Sequence, residues 1–248
     1  MLIAEALILW AYDAEKGVCD ARIGNLDQRL AGALLAQLHQ LGRLELVRGQ
    51  ARPISGVAKP RVQVRGAGSA GHRELDGVLA VVAGQPKTPK KLVLELSDGL
   101  RLRLLNGLAS DGVLRRQESR LTVRWLAVDS TIKVGLHERL QAVLLGASPN
   151  RTEAALLALG AGTRLVSRLA PGLGAKELTA RLKQVAEDSW VIDATRQAIG
   201  AANQTEAKSF IPVVSDLAEL AQAPAAIKGR WARIKSEAVR RRQSDQTP

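Results

Sequence analysis

The chain has 248 residues, enough to bury a sizeable core in one large domain or in a domain with an appendage. Lys and Arg number 36 against 24 Asp and Glu, a formal net charge of +12, so the partners to expect carry phosphate: nucleic acid or anionic lipid. The lone cysteine, Cys19, excludes an intramolecular disulfide and a multi-thiolate metal site, and with 2% aromatics the core must be aliphatic, which favours helices.

Leu2, Ile3, Ala6, Leu7 and Trp10 fall near helical spacing, and this helix should stop within Asp13-Ala14-Glu15-Lys16-Gly17. Glu5 interrupts the apolar stretch, no basic region precedes it and no small-residue cleavage site follows, so no signal peptide is predicted. No run approaches the roughly 20 apolar residues needed to span a bilayer. A cytoplasmic protein is expected, with any membrane contact peripheral and on the cytoplasmic face.

Leu26, Leu30, Leu34, Leu38 and Leu41 predict a second helix, with Asn25 or Asp27 as N-cap and Gly42 ending it in a left-handed turn. Alternation over Arg43 to Arg48 predicts a strand, and Val62 and Val64 its return. Glu74 to Val82 predicts a helix closed off by Pro86 and Pro89. A helix carrying Leu100, Leu104, Leu105 and Leu108 should end at Asp111-Gly112, followed by a hairpin from Val113-Leu114 whose second strand is Leu121 to Val128. After Gly135 the pattern is helical: Leu136 to Leu145, Thr152 to Leu159, Thr163 to Leu169, Ala175 to Ala186 and Trp190 to Ala202.

From Asn203 the chain turns polar. Beyond it Ile227, Trp231, Ile234 and Ala238 share one helical face among Lys228, Arg230, Arg233, Lys235 and Arg240 to Arg242. This is the pattern of a basic amphipathic helix, which is either a solvated surface helix or an interfacial anchor with Trp231, Arg230 and Arg233 at the lipid boundary.

Arg65-Gly66-Ala67-Gly68-Ser69-Ala70-Gly71 matches the G-x-G-x-x-G turn that cradles a pyrophosphate, with Glu95 or Asp98 far enough on to meet a ribose. The fingerprint needs several alternating strands and helices, and mainly helices follow, so a plain loop is the better reading. His39, His72 and His137 lack ligand spacing, and no nucleophile elbow, Walker sequence or carboxylate pair stands out. No catalytic residue, metal or cofactor is expected.

The basic cluster at the second hairpin is more informative: Arg101 and Arg103 on the helix, then Arg115, Arg116, Arg120 and Arg124. Guanidinium forks match phosphate oxygens, so such residues can form a phosphate cup. Leu121, Val123 and Trp125 alternate to give one apolar strand face, which is packing if it points inward and a membrane wedge if it projects.

Leu7-Ile8-Leu9-Trp10-Ala11, Asp13 to Gly17, Leu30 to Leu38, Gly42-Arg43-Leu44-Glu45-Leu46, Leu75-Asp76-Gly77-Val78-Leu79, Gly112-Val113-Leu114-Arg115-Arg116 and Arg139-Leu140 to Leu144-Leu145 follow in a specific order. With that order and spacing, residues 1 to 200 resemble the Golgi phosphoprotein 3 family in its bacterial form. The resemblance implies a compact helical fold edged by hairpins that binds phosphatidylinositol 4-phosphate and inserts a hydrophobic hairpin into the membrane. Eukaryotic members also retain Golgi glycosyltransferases. The family's headgroup positions correspond to Arg22, Ala31, Asp98 and Arg101, and only Arg101 keeps the family's residue.

The expected fold class is therefore mainly α: a helical domain with peripheral β-hairpins over 1–202, then a linker and basic amphipathic tail over 203–248. The expected function is peripheral binding of anionic, phosphoinositide-like lipid. Arg101, Arg103 and Arg22 would form the headgroup cup, Leu121, Val123 and Trp125 the inserting hairpin, and Trp231, Arg230 and Arg233 a second anchor. Two weak anchors hold where one does not. A winged-helix-like nucleic-acid binder is the rival, because a helix followed by a hairpin occurs twice. The sequence leaves homo-oligomerisation and any protein client open.

Overall fold

The computed structural model describes residues 1–20, 23–47, 59–120, 122–185 and 189–203. The chain divides into two units, Met1–Ile199 and Gly200–Pro248. The first is mainly helical, with two antiparallel hairpins among the described residues.

Helix α1 (Ile3–Ala11) is apolar apart from Glu5, and all nine of its residues are buried. A helix that is apolar all round needs neighbours on all sides. It packs against α2 (Leu26–Gln40), α5 (Leu100–Ser110), α6 (Thr131–Leu144) and α7 (Arg151–Gly160). Its one charge, Glu5, has a carboxylate that accepts the Leu2 N–H at 2.7 Å and faces His72 Nε2 at 3.3 Å. Burial of a carboxylate is tolerable only with such partners.

α2 starts at Asn25 and ends as expected at Gly42, whose φ of +68° lets the Arg43 N–H reach the Leu38 carbonyl at 2.9 Å. Asn25 holds the N-cap position in a left-handed backbone without a side-chain cap bond, and the Asp27 carboxylate turns away to Arg101. On the buried side, a Cβ at Gly32 would stand 2.3 Å from Thr195 Oγ1, so only glycine lets α2 approach the helix over 190–203, α10. Gly160 does the same for α7 against the Trp10 ring, at 2.7 Å. The buried Arg29 guanidinium reaches from α2 to the Leu159 and Ala161 carbonyls at the end of α7. Those carbonyls have no helical partner of their own.

The first hairpin, β1 (Leu44–Val47) and β2 (Arg61–Val64), pairs Leu44 with Val64 and Leu46 with Val62. The second, β3 (Leu114–Glu118) and β4 (Val123–Ala127), pairs Leu114 with Ala127, Arg116 with Trp125 and Glu118 with Val123. Between them lie α3 (Arg73–Gly84), α4 (Pro89–Leu96) and α5. α8 (Arg164–Leu169) and α9 (Ala175–Val185) follow α7.

Two expectations need correcting. Pro89 does not close a helix: it opens α4 at the first helical position, where its missing N–H costs nothing. α6 begins at Thr131, five residues ahead of the expected Leu136, because its first turns bury little and show no apolar stripe.

Replacing Gly32 with valine should destabilise the fold by about 1–3 kcal/mol, since the new side chain meets Thr195. Thermal unfolding measures it. An unchanged melting temperature would mean that α2 and α10 are not in close contact.

Candidate functional site

The α2 start and the α4–α5 junction enclose an open cavity of about 600 Å³ lined by Asp27, Gln28, Ser97, Asp98, Arg101 and Leu102 among others. Arg101 grips Asp27 with both arms of its fork, Nε to Oδ1 at 3.1 Å and Nη2 to Oδ2 at 2.7 Å. Both side chains remain about one third exposed, at 37% and 36%. Behind them Tyr12 is buried: burial pushes its hydroxyl up to about 12, the nearby Cys19 adds to the rise, and Arg101 opposes it. Burial also pushes the Cys19 thiol up. Both groups therefore stay protonated at neutral pH and supply no nucleophile.

Arg103 leaves α5 in another direction. Two helical residues turn the side chain by about 200°, and Arg103 meets Glu74 Oε2 on α3 at 3.2 Å and the Asp98 carbonyl at 2.9 Å. Arg101 and Arg103 thus serve separate carboxylates on separate helices and do not converge on one ligand, contrary to the expected cup. The third expected member, Arg22, lies outside the described residues, as do Leu121 and the tail residues Arg230, Trp231 and Arg233.

At the second hairpin the register puts Leu114, Arg116 and Glu118 on the face of Ala127, Trp125 and Val123. That face turns inward at Trp125, which is only 5% exposed. Its N–H donates to the Gly17 carbonyl at 2.7 Å, and a Cβ at Gly17 would stand 2.8 Å from that nitrogen. The Arg116 guanidinium lies over the indole, 5.7 Å from the ring centre, and pairs with Glu118. Trp125 is therefore a packing residue and not part of a projecting wedge, because period-2 alternation sends it to the covered side of the ribbon. Val123, nearer the tip, stays exposed.

The other face of the hairpin is cationic. Arg115 and Arg124 project from it, Arg120 sits at the tip, and all three are exposed with no ion pair among the described residues. Val128, Ile132 and Val134, just beyond β4 and on the first turn of α6, are exposed at 62%, 42% and 52%. The sequence reading missed these three. The available signal was that they interrupt no apolar face of a core helix, since α6 buries residues only from Leu140 on.

The family model described as Golgi phosphoprotein 3 matches residues 3–202, from α1 through α10. The chain belongs to the Golgi phosphoprotein 3 family. No individual curated protein matches it significantly. Among the described residues, no helix of this family member is long and apolar enough to cross a membrane, and no group of three His, Cys, Asp or Glu could hold a metal ion.

Of the positions where the sequence resemblance led us to expect a headgroup site, Ala31 is fully buried, Asp98 is exposed in the lining of the cavity and Arg101 is held by Asp27. The glycine-rich loop is likewise occupied from within. Asp76 takes the Ser69 hydroxyl at 2.7 Å and the Ala70 N–H at 2.6 Å, while Arg43 donates to the Arg65, Gly68 and Ser69 carbonyls. An aspartate near the N-terminus of α3 fills the place that a phosphate would need. The bonds from Ser69 and Ala70 hold the Asp76 carboxyl below the usual carboxylate range. A lowered folded-state value contributes stability at neutral pH, which is lost only as pH falls through that value, below the unfolded one. The loop should keep its order down to pH 5, and amide exchange at Ala70 against pH measures this. Loosening of the loop at pH 6 to 7 would contradict the pairing.

Trp125→Ala should lower stability by about 3–5 kcal/mol, as for any buried tryptophan. Denaturant titration decides. An unchanged midpoint would return Trp125 to the exposed wedge.

Proposed function

We propose that this chain is a peripheral membrane protein that docks on anionic phospholipid through the outer face of β3–β4 and the first turn of α6. The observation that carries this reading is that the outer face and tip of β3–β4 and the start of α6 join three unpaired arginines, Arg115, Arg120 and Arg124, to three exposed aliphatics, Val128, Ile132 and Val134. Each cation near an anionic leaflet contributes about 1 kcal/mol. Each aliphatic side chain moved fully out of water adds about 1.5–3 kcal/mol. Either set alone gives weak, reversible contact, and the two together give stable association, in the way two membrane signals do. The net charge of +12 adds long-range attraction to such a surface.

Membership of the Golgi phosphoprotein 3 family supports the membrane over nucleic acid as the source of phosphate. The headgroup selectivity that the family resemblance implies is not carried over. Three of the four corresponding positions, Arg22, Ala31 and Asp98, depart from the family's residues, and the fourth, Arg101, is already paired. In this reading the lipid is recognised as an anionic surface, and the basic segment containing Trp231, Arg230 and Arg233 adds a second anchor.

Flotation with phosphatidylcholine vesicles, with and without about one third phosphatidylglycerol, tests the docking. The protein should float only with the anionic vesicles, and less as salt rises. Replacing Arg115, Arg120 and Arg124 together with glutamate should reduce flotation at least about tenfold without changing the melting temperature, since none has an ion-pair partner to lose. Failure of the parent protein to float, with retardation of duplex DNA at the same salt, would transfer the basic face to nucleic acid.

A further inference from the structure

Two of the unpaired arginines on the outer face of β3–β4 stand in a fixed relation to each other. The register pairs Arg115 with Leu126 and Gln117 with Arg124, so Arg115 and Arg124 are diagonal neighbours on one face, with Cβ atoms about 7 Å apart. Both ends of the ribbon hold that register. At the base the Val128 N–H donates to the Val113 carbonyl at 3.1 Å, and at the tip the Ser119 N–H donates to the Thr122 carbonyl at 2.8 Å. Arg120 lies in the turn between those two, outside the ladder.

Nothing among the described residues answers this pair of charges. Glu118 is the only carboxylate in residues 113–128, and it points to the other face, where it pairs with Arg116. The next, Asp129, accepts both the N–H and the hydroxyl of Thr131. Like charges at neighbouring positions on a ribbon oppose each other, and an anion lying across them removes the opposition. Gln117 completes the face. It is exposed, lies opposite Arg124 and two residues from Arg115, and its amide makes no hydrogen bond among the described residues.

The chemistry of the guanidinium sets what such a face holds. A phosphodiester presents two non-bridging oxygens and one negative charge, and one arginine fork meets both oxygens with two parallel N–H bonds. Arg115 and Arg124 are therefore matched to two phosphodiesters, while the Gln117 amide offers a donor and an acceptor to a hydroxyl between them. Towards the base of the hairpin the same face turns aliphatic. Half-buried Leu126 and exposed Val128 follow Arg124 at period 2, with exposed Ile132 and Val134 beyond them on α6.

We infer that the outer face of β3–β4 selects a diphosphatidylglycerol (cardiolipin), with one phosphodiester on Arg115, the other on Arg124 and the hydroxyl of the bridging glycerol on Gln117. This rests on the membrane docking proposed above and names the lipid class that the docked hairpin prefers. The three-carbon bridge makes capture of the second phosphate intramolecular, whereas two phosphatidylglycerol molecules must be gathered separately from the leaflet. A nucleic-acid backbone also repeats phosphodiesters, but it has no acyl chains to cover Val128, Ile132 and Val134.

Partition of the full chain onto phosphatidylcholine vesicles tests the selectivity, the vesicles carrying either diphosphatidylglycerol or twice its molar amount of phosphatidylglycerol, so that phosphate charge is equal. Diphosphatidylglycerol should hold the protein at least about tenfold tighter, less than the roughly hundredfold gain of linkage in solution because a leaflet already concentrates its lipids. Arg115→Gln and Arg124→Gln should each weaken binding to diphosphatidylglycerol about tenfold and abolish the preference, since one fork holds one phosphodiester. Gln117→Ala should narrow the preference about fivefold. Arg120→Gln should weaken both lipids alike, by about fivefold, and keep the preference. All four side chains are exposed and without ion pairs among the described residues, so the variants should melt with the parent.

Equal binding to the two vesicle types at equal charge defeats the lipid assignment and leaves the docking intact. So does a preference that falls as far in Arg120→Gln as in Arg115→Gln. No binding to either vesicle defeats the docking and the inference with it. Tighter binding to a single-stranded oligonucleotide than to diphosphatidylglycerol vesicles at the same salt also overturns the inference, and gives the arginine pair to a nucleic-acid backbone.

Discussion

Everything in the helical unit follows from the burial of α1. Nine consecutive residues with no face for solvent demand cover from all sides, and α2, α5, α6 and α7 supply it. That requirement explains the close approaches around it. Gly160 exists to admit Trp10, Gly32 lets α2 lie against α10, and Arg29 ties α2 to the end of α7 through the carbonyls of Leu159 and Ala161. Burial lowers the Arg29 pKa, yet a guanidinium stays charged in such a place, so its fork must be satisfied by carbonyl oxygens.

With the centre committed to packing, chemistry is left to the edges. The cover around α1 brings the start of α2 to the α4–α5 junction, and there Asp27 meets Arg101. It also places the turn after α1 under the second hairpin, where Gly17 accepts the Trp125 N–H. One face of β3–β4 is fixed by that contact, which leaves the other face, with Arg115 and Arg124, free for a partner. The hairpin is thus packed at Trp125 on its inner side and cationic on its outer side. A rigid scaffold presenting an exposed basic edge loses little conformational entropy when it docks.

Much of this was legible in the sequence because the signals were local. The leucine spacing in α2, the glycine at its end, the two hairpins and the family resemblance all depend on residues a few positions apart. What was not legible depends on distant partners or on the choice between two faces. Arg101 and Arg103 looked like a pair because they are two residues apart, but their partners are 74 and 29 positions away, and those partners pull them apart. The alternation of Leu121, Val123 and Trp125 shows that two faces exist and cannot say which is covered; the covering backbone at Gly17 lies more than a hundred residues earlier. α4 was missed because a proline reads equally as a stop or as a first helical residue.

Hydrogen exchange on the full chain, with and without phosphatidylglycerol vesicles, tests the central claim most directly, because it reports both where the membrane touches and whether the core yields. Docking through the hairpin predicts slower exchange confined, within the helical unit, to residues 115–134, with α1 and α2 as protected as in free solution. Unchanged exchange over 115–134 in the presence of vesicles that carry the protein, or vesicle-dependent opening of α1, would contradict it.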